Sequence, residues 1–286
     1  VLVLTDAMNG VKGSGRSIEN YDMYEEFSKV KELFTKFGGH KMAAGVSLQK
    51  ENIEILRKKL NENCNLTEED LYLYDLSHKD ELVEALSESC GISENHIFVH
   101  NGSAEVIKSI FSILLNEKDI VLLPAPGWSY YKSVADAKFA VCITYEVHEG
   151  EDGYQYQMED LRKKAKEYQP KIIVMTSPHM PTGCGISYQE IEEVIRENSG
   201  AVILLDEAYW GYGDDTNVFE KEIIMKYSNV VITRTFSKFY GLANIRIGYG
   251  LCSYPLRRTI GLDLPLFRAC GISRKIALAA IKDTTY

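Results

Sequence analysis

Short apolar segments alternate with amphipathic helical patterns through most of this chain, from about residue 80 to residue 252. The apolar segments predict strands over 97–99, 120–123, 141–145, 172–176, 202–206, 230–233 and 248–251. The patterns around them predict helices over 80–89, 104–116, 128–137, 158–168, 187–198 and 219–226. Strands and helices that alternate in this way form a mainly parallel sheet with helices on both faces. The predicted fold class is therefore α/β.

The first 70 residues follow a different pattern, and residues 61–70 are polar enough to be a linker. Strands are predicted over 1–5 and 43–48, a glycine-rich turn and strand over 10–17, and helices over 24–37 and 50–61. Gly38 and Gly39 are expected to end the first of these helices, because glycine is a poor helix former. We therefore predict a small, partial α/β domain over residues 1–68 and a larger domain over 72–286.

Composition narrows the classes of function. The formal net charge of -9 disfavours a general nucleic-acid binder but leaves room for a local basic patch. No apolar run reaches the ~18 residues that a membrane span needs. The six cysteines are scattered without a C-x-x-C pair, which is typical of reduced thiols in a cytoplasmic protein and not of a disulfide framework or a metal site. Because the chain begins with Val1, we expect it to be a piece of a longer protein or an irregular gene product.

Residue types that bind phosphates and rings follow the predicted strands at their carboxyl ends, where open α/β sheets bind ligands. Ser103 and Ala104 begin a helix after strand 97–99, and a helix N-terminus offers free N–H groups to a phosphate. Trp128 follows another strand, and a large ring there can stack on a flat heterocycle. Taken singly, these residues are more typical of an ordinary helix start and of a core aromatic.

Asp206 and Lys238 are the residues with the strongest chemical implications. Asp206 ends a buried apolar run, where a carboxylate is costly without a cationic partner such as a protonated pyridine nitrogen. Lys238 follows a later strand, with Ser237 before it and Arg246 eight residues after it. An amine that forms a Schiff base must be held rigidly near groups that bind a phosphate, and arginine forms forked pairs with phosphate. A lone lysine or arginine is more often a solvated surface charge.

Residues 72–286 carry these features in the order of one family. They resemble the class I/II (fold-type I) aminotransferases that depend on pyridoxal 5′-phosphate, nearest to the histidinol-phosphate aminotransferase branch. The resemblance implies the large domain of that fold without the smaller C-terminal domain, and it implies a homodimer. The implied activity transfers an amino group between an amino acid, or a similar amine, and a 2-oxo acid.

The resemblance also implies a role for each candidate residue. Lys238 forms a Schiff base with the cofactor and later moves the α-proton of the substrate. Asp206 pairs with the pyridine nitrogen, and Tyr209 with the phenolic oxygen. The other implied residues stack on the ring or hold the phosphate: Trp128, Ser103, Ala104, Ser237, Arg246 and, from the neighbouring subunit, Tyr74. A lyase or decarboxylase of the same fold is an alternative, since such enzymes share the cofactor residues.

Met180 departs from the family pattern. Residues 177–183 resemble the turn Asn-Pro-x-Asn-Pro-Thr-Gly, and Met180 stands where the second asparagine donates a hydrogen bond to the phenolic oxygen. A thioether cannot donate, and the loss of such a bond in a buried site costs ~1–3 kcal/mol. We expect Tyr209 to carry that bond alone.

The first 70 residues carry a second resemblance, in Gly13-Ser14-Gly15-Arg16-Ser17 and in Phe37-Gly38-Gly39-His40-Lys41-Met42-Ala43-Ala44-Gly45. They are similar to the DHHA1 domain of RecJ-type single-strand exonucleases. The resemblance implies binding of single-stranded nucleic acid by Ser14, Arg16, Gly39 and His40. Glycines let a backbone approach phosphates closely, and Arg16 and His40 add charge or donors. A glycine-rich remnant without a ligand is the other interpretation. The alternative function for the whole chain is a nucleic-acid-binding module with an inactive pyridoxal-phosphate domain as passenger.

Overall fold

The chain divides into two units, one of residues 1–74 with 282–286 and the other of residues 75–281. The computed structural model describes residues 2–8, 10–16, 22–41, 43–62, 80–151, 153–212, 218–260 and 269–283. Residues 63–70 of the predicted linker therefore lie outside the described residues, as does Tyr74. No helix within the described ranges is long and apolar enough to cross a membrane.

The smaller unit contains a four-stranded antiparallel sheet in the order β1-β2-β4-β3. Its elements are β1 (Leu2–Ala7), β2 (Gly10–Arg16), α1 (Met23–Ser28), β3 (Phe34–His40), β4 (Ala43–Leu48) and α2 (Asn52–Glu62). Alternate residues of β4 (Ala44, Val46 and Leu48) are buried with Phe27 and Leu56. Because strand residues alternate between faces, Ala43, Gly45 and Ser47 of β4 lie on the other face and are not buried.

The helix predicted over 24–37 is wrong beyond residue 28. The structure ends α1 at Ser28, and a 3-10 turn over Lys31–Leu33 leads straight into β3. Gly38 and Gly39 consequently lie inside a strand and do not end a helix. The apolar spacing misled because the register of β3 shifts between Phe34 and Lys36, and a bulge of that kind adds a residue to one strand. Phe34 and Phe37 thus meet at 5.6 Å between ring centroids despite their helix-like spacing.

The larger unit is built on an eight-stranded sheet in the order β5-β12-β11-β10-β9-β6-β7-β8. Its strands are β5 (Ile97–His100), β6 (Ile120–Ala125), β7 (Val141–Gly150), β8 (Gly153–Tyr156), β9 (Ile172–Thr176), β10 (Val202–Asp206), β11 (Val230–Thr235) and β12 (Gly248–Cys252). The pairs among β6, β7, β9, β10 and β11 are parallel, whereas β12 runs antiparallel to β11 and to β5. This sheet confirms the predicted α/β class.

Helices separate most of these strands along the chain. They are α3 (Glu81–Cys90), α4 (Ser103–Leu114), α5 (Ser129–Asp136), α6 (Met158–Tyr168), α7 (Tyr188–Glu197), α8 (Val218–Lys226), α9 (Tyr254–Thr259) and α10 (Gly271–Lys282). On the sheet, Leu204 belongs to one hydrophobic core and Leu205 to the other. Burial on both faces explains why the central strands are near-continuous apolar runs.

The turns that follow several strands lie at one edge of the sheet. The parallel strands present their carboxyl ends there, including Asp206 of β10, which pairs with Thr233 of β11. Since β12 runs the other way, its first residue, Gly248, lies at the same edge and pairs with Thr235 and His100. The turns after β5, β6, β10 and β11 and the turn before β12 therefore converge.

Candidate active site

A cavity of about 290 Å³ lies at this edge of the sheet. Its lining includes all the described residues that the sequence predicted to bind a cofactor: Ser103, Ala104, Trp128, Asp206, Tyr209, Ser237, Lys238 and Arg246. They follow different strands, and the convergence of the turns brings them together. Tyr74, the remaining predicted residue, lies outside the described part of the chain.

Asp206, the last residue of β10, is buried in the lining of the cavity, with 3% of its surface exposed. The Tyr131 hydroxyl donates to Oδ2 at 2.5 Å, while the Thr233 hydroxyl and the Ala208 N–H donate to Oδ1 at 3.0 and 3.1 Å. Burial raises the pKa of Asp206 above its ordinary value, and these hydrogen bonds oppose that rise. Because its donors are neutral, the carboxylate suits a ligand group that carries positive charge.

Tyr131 is a site residue that the sequence did not predict. It is 2% exposed, and its ring meets that of Trp128 edge-on at 5.4 Å between centroids. Burial and the charge of Asp206 raise the pKa of Tyr131 well above its ordinary value, so the hydroxyl remains a donor. The local signal was only that Tyr131 lies near Trp128, the N-cap residue of α5, and it does not show that the Tyr131 hydroxyl reaches Asp206.

Another part of the lining forms a cradle suited to an anion. Arg246 donates to the Ser237 hydroxyl at 3.4 Å. A Cβ at Gly102 would lie 2.6 Å from a terminal nitrogen of Arg246, and a Cβ at Gly248 would lie 2.2 Å from the Ser103 backbone nitrogen. Glycine at both positions therefore permits the close approach of the guanidinium and of the α4 N-terminus, whose first N–H groups have no partner within the helix.

Lys238 and Tyr209 lie together in the lining. The Lys238 Nζ atom is 5.3 Å from the centroid of the Tyr209 ring. The Gly241 N–H donates to the Lys238 carbonyl at 2.9 Å, which closes the turn after β11. Met180 lines the same cavity, so a thioether occupies this part of the wall.

A larger cleft of about 600 Å³ adjoins the cavity. The two share Pro178, Met180 and Tyr209 in their linings. Among the described residues that line the cleft there is no Lys, Arg, Asp or Glu. The described walls of this adjacent cleft therefore carry no side chain of permanent charge.

The residues predicted to bind nucleic acid lie on the sheet of the smaller unit. Ser14 pairs with Gly45 across the β2–β4 ladder, and His40 pairs with Ala43, whose other neighbour is the backbone of Arg16. A Cβ at Gly39 would lie 2.3 Å from the Ala43 carbonyl oxygen and 2.6 Å from the Ala44 Cα atom. Gly39 is therefore required by the packing of β3 against β4, whether or not a ligand binds.

Two family models match the chain. The model of aminotransferase class I and II matches residues 41–285, and the model of the DHHA1 domain matches residues 1–66. The matches overlap over residues 41–66. Within this overlap the structure pairs β4 with β2 and β3, so this strand belongs to the sheet of the smaller unit.

Several curated proteins are similar to the chain. The histidinol-phosphate aminotransferase of Thermoanaerobacter pseudethanolicus is 31% identical over 203 residues, which are 71% of this chain and 56% of that protein. The enzyme of Ruminiclostridium cellulolyticum is 32% identical over 219 residues, 77% of this chain and 60% of that protein. The chain therefore spans less than two thirds of the length of these relatives.

Solved structures share the fold. Histidinol-phosphate aminotransferase from Sinorhizobium meliloti, in complex with pyridoxal-5′-phosphate, superposes with a TM-score of 0.63 at 21% identity and covers 72% of this chain and 57% of that one. The enzyme from Clostridium acetobutylicum superposes with a TM-score of 0.67 at 19% identity and covers 80% of this chain and 65% of that one. At these identities the likeness concerns the fold alone.

Proposed function

The chain belongs to the class I and II aminotransferase family, and from this membership we propose that it serves a pyridoxal 5′-phosphate-dependent aminotransferase, which transfers an amino group between an amino acid and a 2-oxo acid. The observation that carries the proposal is the convergence of Lys238, Asp206, Tyr209 and Arg246 on one cavity. These residues are far apart in the sequence and suit different parts of the same cofactor.

The lining fits pyridoxal phosphate part by part. The cradle of Arg246, Ser237 and the α4 N-terminus suits the phosphate. Asp206, whose donors are neutral, suits a protonated pyridine nitrogen, and Trp128 supplies a ring for stacking. When bound, the cofactor would supply an aldehyde that condenses with amines and a ring that takes up negative charge from the substrate.

The residues of the chain would then divide the work. Lys238 is the amine nucleophile and the base that takes the proton from the substrate α-carbon at its Nζ atom. Tyr131 and Thr233 hold the Asp206 carboxylate in one orientation through their hydroxyl hydrogen bonds. Because Met180 cannot donate, the Tyr209 hydroxyl is the described side chain assigned to the phenolic oxygen.

Substrates, assembly and location follow as further parts of the proposal. An amino acid and a 2-oxo acid would reach the cavity through the adjoining cleft, which shares Pro178, Met180 and Tyr209 with it. We infer a homodimer from the family, with Tyr74 reaching the neighbouring subunit. The described cysteines are free thiols, which supports a cytoplasmic location.

The test is the visible absorption band of pyridoxal phosphate attached to the protein amine. We expect the band on adding the cofactor to the wild-type chain, and we expect Lys238→Ala to abolish it because the attaching amine is gone. Lys132→Ala is the matched control, since Lys132 is an exposed residue paired with Asp136. The absence of a band in the wild-type chain would overturn the proposal. An assay that separates 2-oxo acid formation from carbon dioxide release distinguishes transamination from decarboxylation.

The exposed face of the smaller sheet supports a second function, the binding of single-stranded nucleic acid. Ser14, Gly45 and Gly38 form one row across β2, β4 and β3, and a Cβ at Gly38 would meet nothing within 4 Å. The neighbouring row on that face places Lys12 and Lys36 on either side of Ser47. Bare backbone beside exposed cations suits a phosphodiester chain.

Replacing both Lys12 and Lys36 with alanine is expected to weaken binding of a short single-stranded DNA at low salt. Each lost phosphate contact reduces the slope of log affinity against log salt by about 0.7, so the slope for the double variant should be smaller by about 1.4 than that of the wild type. Fluorescence anisotropy over a salt series measures both effects. The control is Lys50→Ala with Lys59→Ala, whose ammonium groups pair with Asp6 and Glu32. Equal binding by wild type and the Lys12/Lys36 variant would contradict this function.

A further inference from the structure

Phe239 follows Lys238 directly, and its partly buried ring contacts the turn that carries Tyr209. The Phe239 centroid lies 6.1 Å from that of Trp210 at an interplanar angle of 70°, and 6.0 Å from that of Tyr212 at 88°. Both rings therefore meet Phe239 edge to face, a favourable arrangement for aromatic pairs. The turn after β10 and the turn after β11 are joined by this one side chain.

Gly211 brings the backbone of the Tyr209 turn against the same ring. Its φ angle is +93°, and a Cβ there would lie 2.6 Å from Cδ2 and 2.7 Å from Cγ of Phe239. Only glycine accepts both the positive φ and the close approach. Gly211 and Phe239 are thus matched in shape, and a change at either one disturbs the contact.

A buried ion pair anchors the start of the Tyr209 turn. The Arg234 Nε atom lies 2.7 Å from Glu207, and the guanidinium carbon lies 4.2 Å from the centroid of the Trp210 ring. The Glu207 N–H also donates to the Thr233 carbonyl at 2.8 Å. With this end of the turn fixed, the contact with Phe239 holds the part that carries Tyr209.

We propose that Phe239 is a positioning residue, which sets the place of the Lys238 amine relative to the Tyr209 ring by locking the two turns together. The inference rests on the proposed function, in which the Lys238 nitrogen and Tyr209 act at the same cofactor. The separation of 5.3 Å between Nζ and the Tyr209 centroid is the geometry that Phe239 would maintain. A change in that separation moves the attached nitrogen relative to the Tyr209 side chain, and the pH midpoint of the visible band of the bound cofactor reports such a change in its surroundings.

The experiment compares Phe239→Leu and Phe239→Ala with Phe111→Leu, a control in a fully buried phenylalanine of the core on α4. Each chain is loaded with pyridoxal phosphate, and the visible band is titrated with pH; the thermal midpoint is measured in parallel. For Phe239→Ala we expect the pH midpoint of the band to move by about half a unit or more, and cofactor affinity to fall about tenfold. Phe111→Leu should lower the thermal midpoint and leave the pH midpoint where it is.

Phe239→Leu keeps most of the side-chain volume and removes the ring, so it tests the proposal even if the alanine variant fails to fold. Gly211→Ala should reproduce the shift from the other side of the contact. A wild-type pH midpoint in the Phe239→Leu and Gly211→Ala chains would overturn this inference and leave the proposed function standing. A wild-type chain that takes up no pyridoxal phosphate would overturn the proposed function, and this inference with it.

Discussion

Replacing Arg234 with methionine is expected to lower the free energy of unfolding of the larger unit by about 3–5 kcal/mol. Arg234 is 2% exposed and lies between the carboxylates of Glu207 and Glu220, which are 5% and 2% exposed. Methionine fills a similar volume but carries no charge. The variant therefore leaves two buried carboxylates without this cation, and the cost of burying them is no longer offset.

Urea denaturation followed by circular dichroism measures this loss. Arg162→Met is the matched control, because Arg162 pairs with Glu193 at 2.7 Å while 31% of its side chain is exposed. An exposed pair of that kind contributes about 1 kcal/mol or less. A loss of similar size in both variants would show that the buried ion pairs of Arg234 stabilise the fold no more than an exposed ion pair does.

Asp206→Asn is expected to have opposite effects on the cofactor-free chain and on cofactor binding. Affinity for pyridoxal phosphate should fall about 100-fold, because the neutral amide removes about 3 kcal/mol of the proposed pairing with the pyridine nitrogen. The thermal midpoint of the cofactor-free chain should rise at neutral pH. Burial raises the pKa of Asp206 above its ordinary value of 3.8, so the folded chain bears the charged carboxylate less well than the unfolded chain does.

The pH dependence of stability tests directly whether Asp206→Asn stabilises the cofactor-free chain. The stability contributed by Asp206 is fully present below pH 3.8 and is lost as the pH rises through the higher pKa of the folded state. Asparagine does not titrate, so the stabilising effect of the variant should be present at neutral pH and vanish toward acid. Thermal melts of the cofactor-free chains across this range, with Asp136→Asn as a surface control, measure it. A lower thermal midpoint for Asp206→Asn at neutral pH would contradict the expectation.

Two of the central strands, β9 and β10, could be predicted to the residue, and the reason is physical. Strands 172–176 and 202–206 are covered on both faces, so each is an unbroken apolar run between polar turns. The position of the candidate site residues at one edge could be predicted because they follow such strands, and Asp206 stood out because a carboxylate after a buried run is costly without a partner. The roles of Lys238 and Arg246 are what the family resemblance implies. Strand order then brings them to one cavity without further information.

What the sequence did not predict depends on contacts between distant residues. Tyr131 fits the pattern of an ordinary buried aromatic on α5, and nothing local shows that its hydroxyl reaches Asp206. Phe239 and Gly211 are separated in sequence, so their fit exists only once two turns meet. The strand β3 was missed because a bulge gives Phe34 and Phe37 the spacing of a helix. In each case the deciding interaction lies outside any window of neighbouring residues.

The antiparallel strand β12 has a consequence for how the protein is made. β5 is at the edge of the sheet and β12 is its neighbour there, with His100 paired to Gly248. A ribosome must therefore add about 150 further residues before β5 finds its place, and pairings of such long range are slow to form. Until then β5 has an unmatched edge open to other chains, the situation in which nascent proteins depend on chaperones. The anion cradle, built from the residues flanking both strands, is thus expected to be among the last parts of the larger unit to form during synthesis.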